Sequence, residues 1–411
     1  MKIAFTTLGC KLNYAETSTY ERGLKAAGWE VVPWNAPADV YLINTCAVTE
    51  TAEKKSRNLI RRAHKTAPEA RIAITGCYAQ LRKAQLEAME GVWKVFGADE
   101  KADIIPFITA QRSEEPAAEQ VFGAYSSGER TRSFLKVQDG CDNFCAYCTV
   151  PFARGRSRNI PICEAVRQAR EIAAQGIREI VLTGVNTGDF GRSTGESFLQ
   201  LLQALNQVEG IDRYRISSIE PNLITPEIVD WIASGTKFQR HFHIPLQSGS
   251  DTLLKKVGRR YDTALFASRI DYIRQALERP GEPLAFFGID VIVGLPGESE
   301  ALFQETYDFL KNRIRPSYIH VFPYSRRPGT RAAGWPDQVQ DKVKTERVAR
   351  LEALCAELHA SFVEANRGVT EKVLWESSVK DGKMAGYTGN YIRVERPYDP
   401  ARVNCLEEVT L

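Results

Sequence analysis

A chain of 411 residues is long enough for two or three domains, and its 43% hydrophobic and 26% charged content is that of a soluble globular protein with ample material for a core. The net charge of +3 neither demands nor excludes a nucleic-acid partner, so local clustering has to decide that question. No apolar run reaches the length of a membrane span, and the opening MKIAFTTLGCKLN lacks the pattern of a signal peptide, so no membrane association and a cytoplasmic location are expected. There the nine cysteines read first as metal or redox chemistry rather than as disulfides.

Taken in chain order, KIAFTT, WEVVP, VYLINT, RIAITG and VWKVFG read as short strands separated by helical stretches. That alternation predicts an open parallel sheet covered by helices over residues 1–106. The periodicity lapses over 107–132, where QRSEEPAAEQ and SSGERTR predict a linker. A second alternation, SFLKVQ, EIVLTG, RYRISS, HFHIPLQ, AFFGIDVIVGLP and YIHVFPYS, predicts a partial (β/α) barrel over 133–337. Residues 338–367 read as one long helix, and 368–411 as a small β domain. The fold class expected is therefore α/β with a small carboxyl-terminal β unit.

Chemistry concentrates in GCDNFCAYC, residues 140–148, where Cys141, Cys145 and Cys148 follow the carboxyl end of the first barrel strand. A closed zinc site takes four protein ligands, as does an iron-sulfur cube that only carries electrons. Three thiols without a fourth point to a metal centre with one position open. Cys10, Cys46 and Cys77 form a second set, each placed just after a strand of the first domain. Loops at the carboxyl ends of parallel strands gather around one crevice, so these distant residues are expected to converge.

The C-x3-C-x2-C spacing with Tyr147 before the last cysteine resembles the signature of the radical S-adenosylmethionine (SAM) enzymes. Together with the second set and the small terminal domain, it resembles the methylthiotransferases, over nearly the whole chain. The resemblance implies two [4Fe-4S] clusters, one on Cys141, Cys145 and Cys148 and an auxiliary one on Cys10, Cys46 and Cys77. It also implies SAM as cofactor, a radical that removes hydrogen from an unreactive carbon, and a TRAM-like RNA-binding terminal domain. TLGCKLNYAET, LTGVNTGDFG and RISSIEP look like the branch acting on N6-threonylcarbamoyladenosine in tRNA. The alternatives are isopentenyladenosine in tRNA, an aspartate of a small-subunit ribosomal protein, or a non-enzymatic iron-sulfur RNA-binding protein. The implied partners are tRNA and an electron donor such as flavodoxin or ferredoxin; the sulfur donor is not legible.

By the same resemblance, Tyr147, Ser218, Glu220, Gln247, Asp290 and Gly294 are expected around SAM. Asn13, Arg154, Arg156, Ser250, Tyr387 and Arg393 are expected toward the substrate, arginine because its planar fork binds oxyanions bidentately. The helix EKKSRNLIRRAHK, residues 53–65, is a candidate for phosphate contact through Lys54, Lys55, Arg57, Arg61 and Arg62. His241 and His243 lie two apart on a strand, so they share a face and are expected as polar packing inside the barrel. Cys163, Cys355 and Cys405 have no partner at ligand spacing and read as structural thiols.

Overall fold

The apolar runs of the first hundred residues form a parallel sheet of β1 (Lys2–Thr7), β2 (Glu30–Val32), β3 (Val40–Thr45), β4 (Arg71–Gly76) and β5 (Val92–Val95), in the order β2-β1-β3-β4-β5. The computed structural model describes residues 1–110, 122–128 and 131–411. β3 is buried at every position, as a central parallel strand covered on both faces must be. The helix α1 (Lys11–Ala26) follows β1, and α2 (Glu50–Thr66) follows β3. Thr49 caps α2 by accepting from the Ala52 N–H, and Glu50 and Glu53 in its first turn complement the helix dipole.

Of the stretch expected as a linker, 111–121 and 129–130 lie outside the described residues. Within it, Ala124–Tyr125 (β6) pairs antiparallel with β7 (Arg132–Lys136), so chain that lacked periodicity still extends the barrel sheet. A short hairpin of β8 (Gln138–Asp139) and β9 (Arg158–Asn159) brackets the loop carrying Cys141, Cys145 and Cys148.

The barrel itself is two sheets. β6, β7, β10 (Glu179–Thr183) and β11 (Arg213–Ile216) form one; β12 (His241–Gln247), β13 (Phe286–Val293) and β14 (Tyr318–Pro323) form the other. Isolated bridges, Tyr214 to Phe238 and Ser218 to His243, join them into one curved wall. Strand alternation assigns the two faces. Leu135, Ile180, Leu182, Tyr214, Ile216, Phe242, Ile244, Phe287 and Ile289 belong to the apolar core under the helices. The intervening Phe134, Val181, Arg215, His243, Gly288 and His320 face the barrel interior, where they line a cavity. α1 closes the open side of the barrel against β6 and β7.

The long helix spans Asp341–Ala365 and packs along β14, where Cys355 Sγ accepts from the Ile319 N–H at 3.2 Å. The chain ends in an antiparallel sheet of β15 (Thr370–Lys380), β16 (Lys383–Tyr387), β17 (Arg393–Pro397) and β18 (Leu406–Thr410), ordered β17-β16-β15-β18. It caps the amino-terminal floor of the barrel. Arg215 donates to the carbonyls of Thr388 at 2.7 Å and Gly389 at 2.8 Å, and Arg132 meets Glu376 at 2.6 Å and the Tyr391 hydroxyl at 3.0 Å. No helix among the described residues is long and apolar enough to cross a membrane.

Candidate functional site

Cys141, Cys145 and Cys148 line one wall of a cavity of about 360 Å³ at the carboxyl ends of the barrel strands. Backbone N–H groups of Asn143 and Val150 donate to the sulfurs of Cys141 and Cys148 at 3.5 and 3.4 Å, and Arg259 donates to Cys145 Sγ at 3.3 Å. Burial pushes the Cys141 thiol up to about 11 and the Cys148 thiol up to about 12. Such thiols bind a cation by surrendering their protons to it.

Of the residues expected around SAM, Tyr147, Ser218, Glu220, Gln247 and Asp290 line this same cavity. Gln247 has φ +69° at a bulge in β12, a left-handed conformation that turns the strand end over the opening. Glu220 is held by Arg259 at 2.7 Å and accepts from Asn143 Nδ2 at 2.7 Å. Asp290 Oδ1 lies 2.7 Å from His243 Nε2. Gly294 lies outside the lining and donates its N–H to the Glu298 carboxylate. Ser250 is buried at the start of the Asp251–Val257 helix and also lies outside the lining.

The second cysteine set converges on a single place. Cys10 precedes α1, Cys46 follows β3 and Cys77 follows β4. Burial raises Cys46 to about 11, and the charges of Cys77 and Cys10 add to that rise. Cys77 is likewise raised, first by burial, with Cys10 contributing. Gly9 lies so close to Cys46 that a Cβ on it would stand 3.3 Å from the sulfur.

Arg154 lies between this set and the barrel. Its guanidinium bonds to Asp139 at 2.9 Å, Glu16 at 3.3 Å and the Asn13 side-chain oxygen, while the charges of Cys77 and Cys10 also act on it. Asn13 in turn donates to the carbonyls of Leu8 at 2.8 Å and Thr45 at 3.0 Å, tying together the turns that carry Cys10 and Cys46. Both residues, expected toward the substrate, line neither interior cavity, because their hydrogen bonds are spent inside the protein. Arg156 is exposed, pairs with Asp142 at 3.5 Å and lies over the Phe144 ring.

A second cavity, about 520 Å³, occupies the barrel interior below the first. Tyr387 and Arg393, expected toward the substrate, line it together with Lys11, Phe134, His241, His243 and Tyr391. His241 stacks on Phe286 with centroids 5.0 Å apart and planes at 5°, and Tyr387 stacks on Tyr391 at 4.9 Å. Lys11 has exposed surface although protein encloses it, because that surface faces the cavity. Burial holds its ammonium below the usual lysine range, and Arg132 adds to that effect. The side chains of Asp290 and His243 meet between the two cavities, Asp290 lining the upper and His243 the lower.

Sequence reasoning missed Lys11, Arg132, Arg215 and Arg259. One signal was available: Arg213 and Arg215 alternate on a barrel strand, which puts two cations on a single face. The donor set fits the groups expected here. Each thiol set has three members, and the only carboxylates lining the upper cavity among the described residues are Glu220, already held by Arg259, and Asp290, held by His243. Cys141, Cys145 and Cys148 would hold a [4Fe-4S] cluster there through three thiolates, with no uncommitted carboxylate among the described lining residues to supply a fourth ligand.

Residues 2–97 match the family model described as Uncharacterized protein family UPF0004, and residues 135–310 match the Radical SAM superfamily. The threonylcarbamoyladenosine tRNA methylthiotransferase MtaB of Bacillus subtilis (strain 168) is 41% identical, covering 95% of this chain and 89% of its own length. The protein of that name from Aquifex aeolicus (strain VF5) is 36% identical over 96% and 97%. This chain belongs to the MtaB family of radical SAM methylthiotransferases. The MtaB relatives have a sibling at 34% identity, the tRNA-2-methylthio-N(6)-dimethylallyladenosine synthase of Wolinella succinogenes (strain ATCC 29543 / DSM 1740 / CCUG 13145 / JCM 31913 / LMG 7466 / NCTC 11488 / FDC 602W), matched over 96% of this chain and 93% of its own. Among solved structures, the radical SAM methyltransferase TsrM from Kitasatospora setae shares the fold, with TM-score 0.58 and 14% identity over 81% of this chain and 74% of its own. The α/β architecture expected from the sequence of this chain is thereby borne out.

Proposed function

We propose that this protein methylthiolates C2 of N6-threonylcarbamoyladenosine next to the anticodon of tRNA. One observation carries the reading: two three-membered thiol sets stand at the strand ends of separate sheets, one lining the barrel mouth and the other in turns whose following residues Lys11, Val48 and Thr49 line the barrel cavities. Cys141, Cys145 and Cys148 would hold one [4Fe-4S] cluster and Cys10, Cys46 and Cys77 the auxiliary one. When bound, the clusters and SAM supply the one-electron chemistry that removes the C2 hydrogen, and the sulfur and methyl group that replace it.

The chain's own groups bind, orient and exclude water. Tyr147, Ser218, Glu220, Gln247 and Asp290 form the SAM side of the upper cavity, with Gly294 closing the turn after β13. Asn13 and Arg154 act one layer back, fixing the strand-end turns and joining the 1–106 unit to the barrel. Ser250 is buried beside the loop after β12, Arg156 stands outside the mouth, Tyr387 lines the lower cavity from the terminal β unit, and Arg393 lies at that cavity's exposed rim. No proton-transfer group need be tuned for an aromatic C–H without useful acidity, in keeping with the occupied state of Glu220 and Asp290. The reading includes a cytoplasmic location and an electron donor of the flavodoxin or ferredoxin kind.

Nucleoside mass analysis of tRNA from cells lacking the gene tests the reading. The methylthio form of threonylcarbamoyladenosine should vanish and return when the gene is restored, but not with Cys46→Ala. Loss of methylthio-isopentenyladenosine instead would overturn the substrate assignment.

A further inference from the structure

The lower cavity combines aromatic walls with one uncommitted charge. Arg215 is paired with Glu179 at 2.8 Å and bonded to two carbonyls of the terminal unit; Arg132 is paired with Glu376; Arg393 is paired with Glu395 at the surface. Lys11 differs. Among the described residues its ammonium has no ion pair and no hydrogen bond, and it stands over the Phe134 ring, 5.9 Å from Nζ to the ring centre. The charges of Asp290 and Cys10 act on it without contact, and Asp290 is already bonded to His243. A cation lining an aromatic cavity with no contact partner is costly unless a guest brings the opposite charge. The cavity therefore selects for an anionic group and against an apolar one.

We propose that this cavity receives the N6-threonylcarbamoyl arm of the substrate nucleoside and that Lys11 binds the carboxylate of that arm. The inference rests on the function proposed above and adds the device that reads the substrate. Three further observations agree with it. The volume of about 520 Å³ lies within the range of about 300–1,000 Å³ that holds ligands of this size. The stacked pairs His241–Phe286 and Tyr387–Tyr391 offer flat walls to a planar carbamoyl group. Asp290 and His243 meet where this cavity adjoins the one lined by Cys141, Cys145 and Cys148, so an arm lying below would set its base beside that boundary.

Discrimination follows from the charge. An isopentenyl arm in the same place would strip water from the Lys11 ammonium and return nothing, and a site whose buried polar group is left unpaired rejects such an analogue strongly. Lys11 is thus a specificity-determining residue.

The test measures binding of anticodon stem-loop RNAs to the full-length, cluster-loaded protein by fluorescence anisotropy. The loops carry threonylcarbamoyladenosine, its neutral carboxamide analogue, or plain adenosine. Wild-type protein should prefer the acid over the carboxamide by about tenfold or more, the usual scale for a charge-assisted hydrogen bond. Lys11→Met, close in volume, should bind both alike, and Lys11→Arg should keep most of the preference. Equal binding of acid and carboxamide by wild-type protein overturns the inference without calling on any variant. So does a preference that survives in Lys11→Met, or a weakening in Lys11→Met that is the same for all three loops, which would make Lys11 a phosphate ligand. Failure of the underlying function shows separately, as an unchanged methylthio-threonylcarbamoyladenosine level in the gene-deletion tRNA.

Discussion

Glu16 shows how single side chains hold this site together. Fully buried on α1, it meets Lys136 at 2.7 Å, Lys101 at 2.8 Å and Arg154 at 3.3 Å, while Asp139 meets Lys136 at 2.7 Å and Arg154 at 2.9 Å. Burial by itself would raise the Glu16 carboxyl, but the three cations more than offset it and hold the group well below the usual carboxylate range. Asp139 is depressed in the same way. A depressed folded-state pKa contributes stability that is complete above the unfolded value, near 4.5 for glutamate, and is lost as pH falls below it, because only the unfolded chain then takes up the proton. Urea midpoints should therefore drop steeply below about pH 4.5, and Glu16→Gln should flatten that drop while costing about 3–5 kcal/mol at pH 7, the range for breaking a buried pair. A Glu16→Gln protein with the wild-type acid profile would sink this assignment. The cysteines were legible because their spacing and strand-end positions carry the information locally. The engagement of Arg154 was not, since its partner Glu16 lies 138 residues away and no pattern around Arg154 announces a buried carboxylate.

At the scale of elements, the cysteines depend on the turns that present them. Gly140 and Gly76 stand immediately before Cys141 and Cys77 with φ +72° and +98°. A Cβ on Gly140 would lie 1.9 Å from the Arg156 carbonyl oxygen, and one on Gly76 would lie 2.3 Å from the Thr45 carbonyl oxygen. Both obstacles are backbone, so neither can swing aside, and both dihedrals disfavour a side chain. Gly140→Ala and Gly76→Ala should each lose about half of the iron and sulfide retained after anaerobic reconstitution, each at its own cluster. SAM cleavage should fail in Gly140→Ala and persist in Gly76→Ala; full metal content in either variant would contradict the geometry. The strands themselves were readable from their alternation, and β1, β3, β4 and β12 begin and end where their apolar runs do. β6 was not readable: two residues carry no period, and their strand character comes from pairing with β7.

For the whole molecule, the question is how a folded RNA reaches an interior space bounded below by the terminal sheet and at the side by α1. The upper mouth is the route that the surface favours. Val48 and Phe322 line it and are 55% and 49% exposed, and Phe144 and Phe152, an edge-to-face pair beside the cysteine loop, are 37% and 52% exposed. Unpaired bases of an anticodon loop stack on such rims. α2 begins directly after Val48 and Thr49, both on the cavity wall, and its outer side carries Lys54, Lys55, Arg61, Arg62 and Lys65, all exposed and without ion pairs among the described residues. Ordinary surface helices pair many of their charges, as Arg167 does here with Glu164 and Glu171. A run of unanswered cations beside the mouth suits a phosphate backbone. Arg57, expected in the same set, is instead turned to the Tyr78 hydroxyl at 2.8 Å. Replacing Arg61 and Arg62 together by Gln should weaken tRNA binding at low salt and lower the log–log slope of affinity against salt by about 1 for each phosphate no longer neutralised. The preference for threonylcarbamoyladenosine over plain adenosine should stay intact, because Lys11 is untouched. An unchanged slope would place the RNA on another face, and a vanished preference would mean that this helix and the lower cavity do not act as separate parts of the binding site.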